Sequence, residues 1–331
     1  MEEEGEGYPY PDHIGIEQVR EAQERIEGHA HRTPVLTCNA LDRLAGRQLF
    51  FKCENFQKVG AFKFRGAFNA VAKLSEEAAR KGVVTHSSGN HAQALALAAK
   101  LRGIPAYVVM PVDAPAVKKA AVREYGATII DCTDVSSRQP TADRVAQETG
   151  ATFIHPYNNP DIIAGQGTMA LEILAQVEDL DAIVAPIGGG GMISGICVAA
   201  KALKPDIHII AAEPKDADDA WRSKQEGRLV PQTGTKTIAD GLRTGLGSLT
   251  WPIVREHVTA VVTVSEEDIK AAMRLIWERM KVVVEPSAGV GLAAVLRGKE
   301  FQGEGHAPFS SMKRICVVLC GGNVDLDNFS W

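Results

Sequence analysis

Lys63 stands between Phe62 and Phe64 in the stretch 51–70, FKCENFQKVGAFKFRGAFNA. Partial burial lowers the pKa of an amine, and a neutral amine can attack a carbonyl to form a Schiff base. The same pattern also suits a lysine whose stem lies along two core phenylalanines. Four apolar runs each lead into polar or glycine residues. VVTH is followed by Ser87-Ser88-Gly89-Asn90-His91, and DAIVAPI by Gly188-Gly189-Gly190-Gly191. IHIIAAE is followed by Pro214-Lys215-Asp216-Ala217-Asp218-Asp219, and ICVVLC by Gly321-Gly322-Asn323.

Glycines between a strand and a helix let several backbone N–H groups converge on one anion. A glycine run also serves close helix–strand packing. The run matches neither G-x-G-x-x-G nor G-x-x-x-x-G-K-[ST], so a phosphate is expected without a dinucleotide or nucleoside triphosphate as its owner. The Ser-Ser-Gly-Asn cluster can cap a helix, which is worth about 1 kcal/mol, but one such residue suffices for that. Glu213, Asp218 and Asp219 offer hard oxygens for Mg²⁺ or Ca²⁺, or make a solvated acidic loop. A phosphate cup, an aromatic-flanked lysine and strand-end polar groups together suggest pyridoxal phosphate. That cofactor needs a lysine, a phosphate site and a partner for its ring nitrogen.

The elements that would position these groups follow from periodicity. Ile16, Val19, Ala22 and Ile26 are spaced as one helix face. A short helix over 39–44 and the strand RQLFFKCE lead to Lys63, with a break at Gly60 and a helix from about Phe64. From Gly82 onward short apolar strands alternate with helix-length stretches at 90–101, 116–125 and 136–149. The alternation resumes after Ala164, and helices are expected over 266–280 and 287–296 before the last strand ICVVLC. Such alternation indicates parallel sheets with crossover helices, which bind ligands beyond the carboxyl ends of their strands. Two αβ units are expected, 74–155 being inserted into a larger unit made of 1–73 and 156–331. The uncharged run 182–200, AIVAPIGGGGMISGICVAA, nears the length of a membrane span, but Pro186 and four glycines make it strand, loop and helix start.

Composition excludes other classes. A formal charge of −5 over 331 residues leaves no basic face for nucleic acid. The start MEEEGEGYPYP is acidic, unlike a secretory leader, and reads as a disordered tail. Cysteines at 38, 53, 132, 197, 316 and 320 form no C-x-x-C, which fits reduced thiols in a cytoplasmic setting.

At these residues the chain resembles the fold-type II pyridoxal-phosphate enzymes of the serine/threonine dehydratase family, within it the members that racemise serine. The resemblance rests on FKCENFQKVGAFKFRGA, THSSGNHAQA, AGQGT, PIGGGGMISG, AAEPKDADD, IADGL, EPSAGVG and LCGGNVDL, in order from about residue 30 to 326. It implies a tryptophan-synthase-β-like fold of two open parallel-sheet αβα domains, and a homodimer. Lys63 would carry the cofactor, with Phe62 near the ring and Asn90 on its 3-hydroxyl. Gly188, Gly189, Gly190, Gly191 and the Met192 N–H would hold the phosphate, and Cys320 the ring nitrogen. Ser87, Ser88, Asn90, His91 and Arg138 resemble the substrate-carboxylate shell. Glu213, the Ala217 carbonyl and Asp219 resemble a Mg²⁺ or Ca²⁺ site, and Lys58 and Tyr125 part of an ATP effector site.

Three residues depart from the pattern. Cys320 replaces the usual Ser or Thr. A thiol, with a reference pKa of about 8.5, is still uncharged near neutrality. Tyr157 stands in place of an Asn beside the cofactor, and Val117 in place of a regulatory cysteine. The implied activity interconverts L- and D-serine, with Lys63 and Ser88 as acid/base groups on opposite faces, and also eliminates serine to pyruvate and ammonia. The alternative on the same site is a threonine or threo-3-hydroxyaspartate ammonia-lyase. A non-catalytic sensor of nucleotide or amino acid and a nicotinamide dehydrogenase are the rivals of other classes.

Overall fold

A computed structural model of the chain describes residues 14–114, 116–134, 136–298 and 309–326. The expected N-terminal tail and the side chain of Val117 lie outside the described residues. The first part contains α1 (Ile16–Ile26), β1 (Val35–Thr37), α2 (Asn39–Ala45), β2 (Gln48–Cys53), α3 (Lys63–Ala72) and α4 (Glu76–Lys81). Then follow β3 (Val83–His86), α5 (Asn90–Arg102), β4 (Ala106–Pro111), α6 (Ala116–Glu124), β5 (Thr128–Cys132), α7 (Arg138–Thr149) and β6 (Thr152–Phe153). Next come α8 (Pro160–Gln176), β7 (Ala182–Pro186), α9 (Gly191–Leu203), β8 (His208–Pro214) and α10 (Asp219–Glu226). The chain continues with α11 (Thr250–His257), β9 (Ala260–Val264), α12 (Glu266–Leu275), α13 (Pro286–Arg297) and β10 (Arg314–Leu319).

These strands form two sheets. One has the order β1-β2-β10-β7-β8-β9, the other β5-β4-β3-β6. Every pair is parallel except the antiparallel edge pair of β1 and β2. β7 is buried along its whole length, as expected of a strand covered on both faces. The four strands of the second sheet lie between 83 and 153. Its core also takes Phe64 and Phe68 from α3 and Ile162 from α8. The helix bearing Lys63 therefore packs partly with the second sheet.

Some elements differ from the periodicity reading. α8 begins at Pro160, ahead of Ala164, because the Asn159 side chain accepts the N–H groups of Asp161 and Ile162 and Pro160 takes the first helical position. The AGQGT glycines therefore lie inside a helix. A Cβ on Gly165 would stand 2.6 Å from the Gly66 Cα, so α3 and α8 approach backbone to backbone. β1, β9, α4, α10 and α11 are further short elements outside that reading.

A buried ion cluster joins β2, α3 and α8. The Arg65 guanidinium grips Glu54 with Nε to Oε2 and Nη2 to Oε1, both at 2.8 Å. It also bonds Glu172 at 2.7 and 2.9 Å. Lys52 Nζ bonds Glu172 at 2.5 Å, the Thr33 carbonyl at 2.8 Å and Gln176 at 2.9 Å. Arg65, Lys52 and Glu54 are fully buried. Burial pushes the Glu54 carboxyl up, but the adjacent Arg65 and Lys52 charges outweigh it and hold it below the usual range. Removing one partner strands a buried charge. Arg65→Met should cost about 3–5 kcal/mol, and adding Glu54→Gln should recover part of that. Denaturant melts of the two variants check this, and a double mutant no better than the single would refute it.

Candidate active site

Lys63 is the first residue of α3, preceded by Phe62 at the cap position. Its Nζ donates to the carbonyl of Pro156 at 2.8 Å and lies 5.1 Å from the centre of the Phe62 ring. Burial pushes the amine down to about 8, against the opposing pull of Cys320 and Glu285. The chain before it is wound tightly. Val59 and Gly60 have φ of 57° and 69°, and a Cβ on Gly60 would meet the Asn323 Oδ1 at 2.8 Å. A left-handed valine is strained, and the surrounding contacts hold it there. The Phe62 N–H bonds the Cys320 carbonyl at 3.1 Å, so the end of β10 lies against the lysine. Burial first, then the charge of Glu285, pushes the Cys320 thiol well up, so it stays protonated and uncharged.

The glycine run links β7 to α9. Its last residue, Gly191, opens α9, and Gly190 before it has φ 86°. A Cβ on Gly189 would meet the Tyr157 ring at 2.4 Å, and one on Gly190 would meet Thr250 at 2.8 Å. Gly191, Met192 and Ile193 are buried, yet no side chain caps the start of α9. A buried helix start without a cap calls for a ligand to take its N–H groups, and the positive end of the helix selects an anion. Four glycines, an uncapped helix start, a neutralisable lysine and a protonated thiol match the phosphate, aldehyde and ring nitrogen of pyridoxal phosphate.

A second group stands at the start of α5. Arg138, at the start of α7, donates to the Ser88 hydroxyl at 3.4 Å, and Ser87 Oγ accepts the Gly89 N–H at 3.3 Å. His91 is buried, with Nε2 3.3 Å from the Ile154 carbonyl. Its Nδ1 and the Nε of Arg138 are buried and without a hydrogen-bond partner among the described residues. Asn90 Nδ2 donates to both oxygens of Glu285 at 3.0 and 3.1 Å, and its Oδ1 accepts Asn323 Nδ2 at 2.9 Å. Asn90 is thus held by protein groups on both ends of its amide.

Glu285 opens the EPSAGVG motif, and the motif alone gives it no role. Its carboxylate also accepts the Asn323 N–H at 3.1 Å. Burial, then the charge of Asp240, pushes it up to about 7. The available signal was an acid in the apolar run VVVEPSAG. His155 and Tyr157 also belong to this region, their rings meeting edge-on.

The acidic loop divides into two parts. Asp218 pairs with Arg222 at 2.7 Å near the surface. Glu213 and Asp219 are 1% exposed. Glu213 accepts the N–H groups of Ala220 and Trp221 at 3.3 and 2.7 Å, and Asp219 that of Leu246 at 2.9 Å. Burial pushes Glu213 well up and Asp219 up to about 6. Two buried carboxylates that form no ion pair among the described residues, with Arg222 acting on them only through its charge, fit a divalent ion. No three His, Cys, Asp or Glu side chains are placed to hold one metal ion among the described residues, so backbone carbonyls such as that of Ala217, and water, would complete the shell. Lys58 lies over the Phe64 ring at 5.5 Å, and Tyr125 packs against the core of the second sheet. No hydrogen bond joins Lys58 to Tyr125 among the described residues.

The site has counterparts in known proteins. The serine racemase of Arabidopsis thaliana is 56% identical over 312 residues, 94% of this chain and 93% of that protein. The beta-hydroxyaspartate dehydratase of Paracoccus denitrificans is 52% identical, over 95% of this chain and 98% of that protein. The structure of maize serine racemase matches with a TM-score of 0.92 at 51% identity, covering 95% of each chain. The family profile described as "Pyridoxal-phosphate dependent enzyme" matches residues 26–321. By fold, sequence and the chemistry of its site, the chain belongs to the pyridoxal-phosphate dependent enzymes of fold type II.

Proposed function

We propose that this enzyme interconverts L- and D-serine and also eliminates serine to pyruvate and ammonia. The observation that carries the reading is the buried lysine amine with its lowered pKa, bonded to the Pro156 carbonyl next to the Tyr157 side chain that covers the uncapped glycine run. The serine racemases at 51–56% identity support it.

The residues divide the work as follows. Lys63 would hold the cofactor covalently. The backbone N–H groups at the start of α9 would bind its phosphate, and the Cys320 thiol would face its ring nitrogen as an uncharged partner. When bound, the cofactor supplies an electron sink that makes the substrate Cα–H acidic. The freed Lys63 amine takes or returns that proton on one face, and the Ser88 hydroxyl does so on the other. Arg138, His91 and Ser87 orient the substrate carboxylate. Asn90, held by Glu285 and Asn323, would stand by the cofactor's 3-hydroxyl.

Further parts of the proposal have separate support. Glu213, Ala217 and Asp219 hold Mg²⁺ or Ca²⁺, supported by the two buried acids whose pKa values burial raises. ATP acts as effector through Lys58 and Tyr125 in a homodimer, supported by the exposed apolar side chain of Phe56, two residues before Lys58. The residues 74–155 act as an inserted domain, supported by their separate sheet. A cytoplasmic location is supported by the free cysteines. No described helix is long and apolar enough to cross a membrane.

A second reading, a threonine or threo-3-hydroxyaspartate ammonia-lyase, draws on the Paracoccus dehydratase and on the unpartnered Arg138 Nε, which could serve another carboxylate. Incubating the protein with L-serine, D-serine, threonine and 3-hydroxyaspartate, then measuring each enantiomer and oxo acid, separates the two. Turnover of hydroxyaspartate without D-serine formation would replace the first reading by the second.

Three outcomes follow from the site. Only the neutral amine attacks a carbonyl, and Lys63 is an ammonium below about 8 and an amine above it. Capture of pyridoxal phosphate by cofactor-free protein, read as borohydride-trapped cofactor, should therefore rise as pH passes through 8. Capture independent of pH, or surviving in Lys63→Ala, would remove the lysine from its role. In Ser88→Ala the Lys63 face remains, so L-serine should still yield pyruvate while racemisation falls about a hundredfold or more. Equal loss of all activities would make Ser88 a binding group only. Chelation should lower the melting temperature, and Mg²⁺ or Ca²⁺ at a hundredfold excess over its Kd should return about 2–3 kcal/mol. Identical melts with and without chelator would exclude the cation.

A further inference from the structure

Strand β6 ends at Phe153, and the chain turns through His155, Pro156, Tyr157 and Asn158 before α8. The Nδ1 of His155 accepts two backbone N–H groups, that of Asn158 at 2.9 Å and that of Tyr157 at 3.3 Å. A ring nitrogen that accepts from amides carries no proton, so the hydrogen of the neutral ring is on Nε2. The turn delivers two groups to the site. The Pro156 carbonyl is the acceptor for Lys63 Nζ at 2.8 Å. The Tyr157 side chain fills the space over Gly189 and Gly191, where a Cβ would stand 2.4 and 2.8 Å from it. The His155 ring also meets the Tyr157 ring edge-on, with centres 4.5 Å apart at 89°. Asn158 closes the turn by accepting the Leu249 N–H at 2.8 Å, next to Thr250, which bonds the Gly189 carbonyl at 2.8 Å.

We infer that His155 is a positioning residue, whose Nδ1 holds the 155–158 turn and so sets where the Lys63 amine stands relative to the glycine cup. This rests on the reading of Lys63 as the cofactor-bearing residue. A lysine side chain has four rotatable carbons and no fixed direction of its own. The Pro156 carbonyl gives it one, and that carbonyl is only as fixed as its turn. The neighbouring groups keep the ring an acceptor. His86 at the end of β3, Lys63 on α3 and His91 on α5 face His155, and none of them is an anion. Burial, then the charges of His86 and Lys63, pushes His155 down to about 4, so its Nδ1 lone pair is free at neutral pH.

The test uses the holoenzymes of His155→Asn, His155→Gln and His155→Leu. Asparagine places an acceptor oxygen as many bonds from Cα as Nδ1, glutamine places it one bond further, and leucine has none. Asn should keep kcat close to wild type. Gln and Leu should lose about a hundredfold in kcat with little change in KM, because a shift of about 1 Å in a reacting group costs that much. Hydrogen exchange over 155–159 on the same proteins gives a readout apart from turnover. The Tyr157 and Asn158 amides should stay protected in wild type and Asn, and exchange faster in Gln and Leu. If Leu does not fold, the Asn–Gln pair carries the comparison. Gln and Leu with wild-type kcat and protection, or Asn no better than Gln, would overturn the inference. A wild type without borohydride-reducible cofactor at Lys63 would overturn both this and the proposed function, whereas an active wild type with indifferent variants overturns this inference alone.

Discussion

The placement of α3 depends on a buried charge cluster. Arg65 lies between Glu54, just after β2, and Glu172 on α8, and Lys52 shares Glu172 Oε2 with it. Charges this deep are costly to bury, and they persist only when each is paired and hydrogen-bonded. Here that condition also fixes geometry. Arg65 is two residues from Lys63, and its planar donors admit few orientations of the helix start. Glycines at 66 and 165 let α3 and α8 close around the cluster.

From that fixed helix start the two sheets converge. Adjacent strands β10, β7 and β8 present Cys320, the glycine run and Glu213 at their carboxyl ends. The neighbouring strands β3 and β6 of the other sheet present the Ser-Ser-Gly-Asn cluster and the His155 turn. This is where open parallel sheets bind ligands, because loops and helix N-termini gather there. Burial then sets the chemistry. It lowers Lys63 towards the amine and raises Cys320 towards the thiol, and it keeps His91 and His155 neutral. One cause acts with opposite sign on acids and bases, and it leaves the site poised near neutrality.

Much of this was legible in the primary structure. The glycine run, the aromatic-flanked lysine and the polar groups after each strand are local features, and their types point to their chemistry. The strand–helix alternation was legible for the same reason, since period and turn residues are local. Glu285, Pro156 and His155 were not. Glu285 matters because Asn90, 195 residues away in sequence, donates to it. Pro156 matters through a carbonyl, which every residue has. The three-residue β1 escaped because so short a stretch shows no period.

By itself, the sequence determined the residue types at the strand ends, the parallel αβ architecture and the family. Each of these is encoded in neighbouring residues or in motifs that run in order along the chain. Only the tertiary structure decided which groups meet and what burial does to them. Lys63 on the Pro156 carbonyl, Asn90 on Glu285, and the division of the acidic loop into a buried pair and a surface ion pair all join distant segments or depend on depth. Hydrogen bonding and desolvation depend on distance and solvent access, and those quantities exist only once the chain has folded.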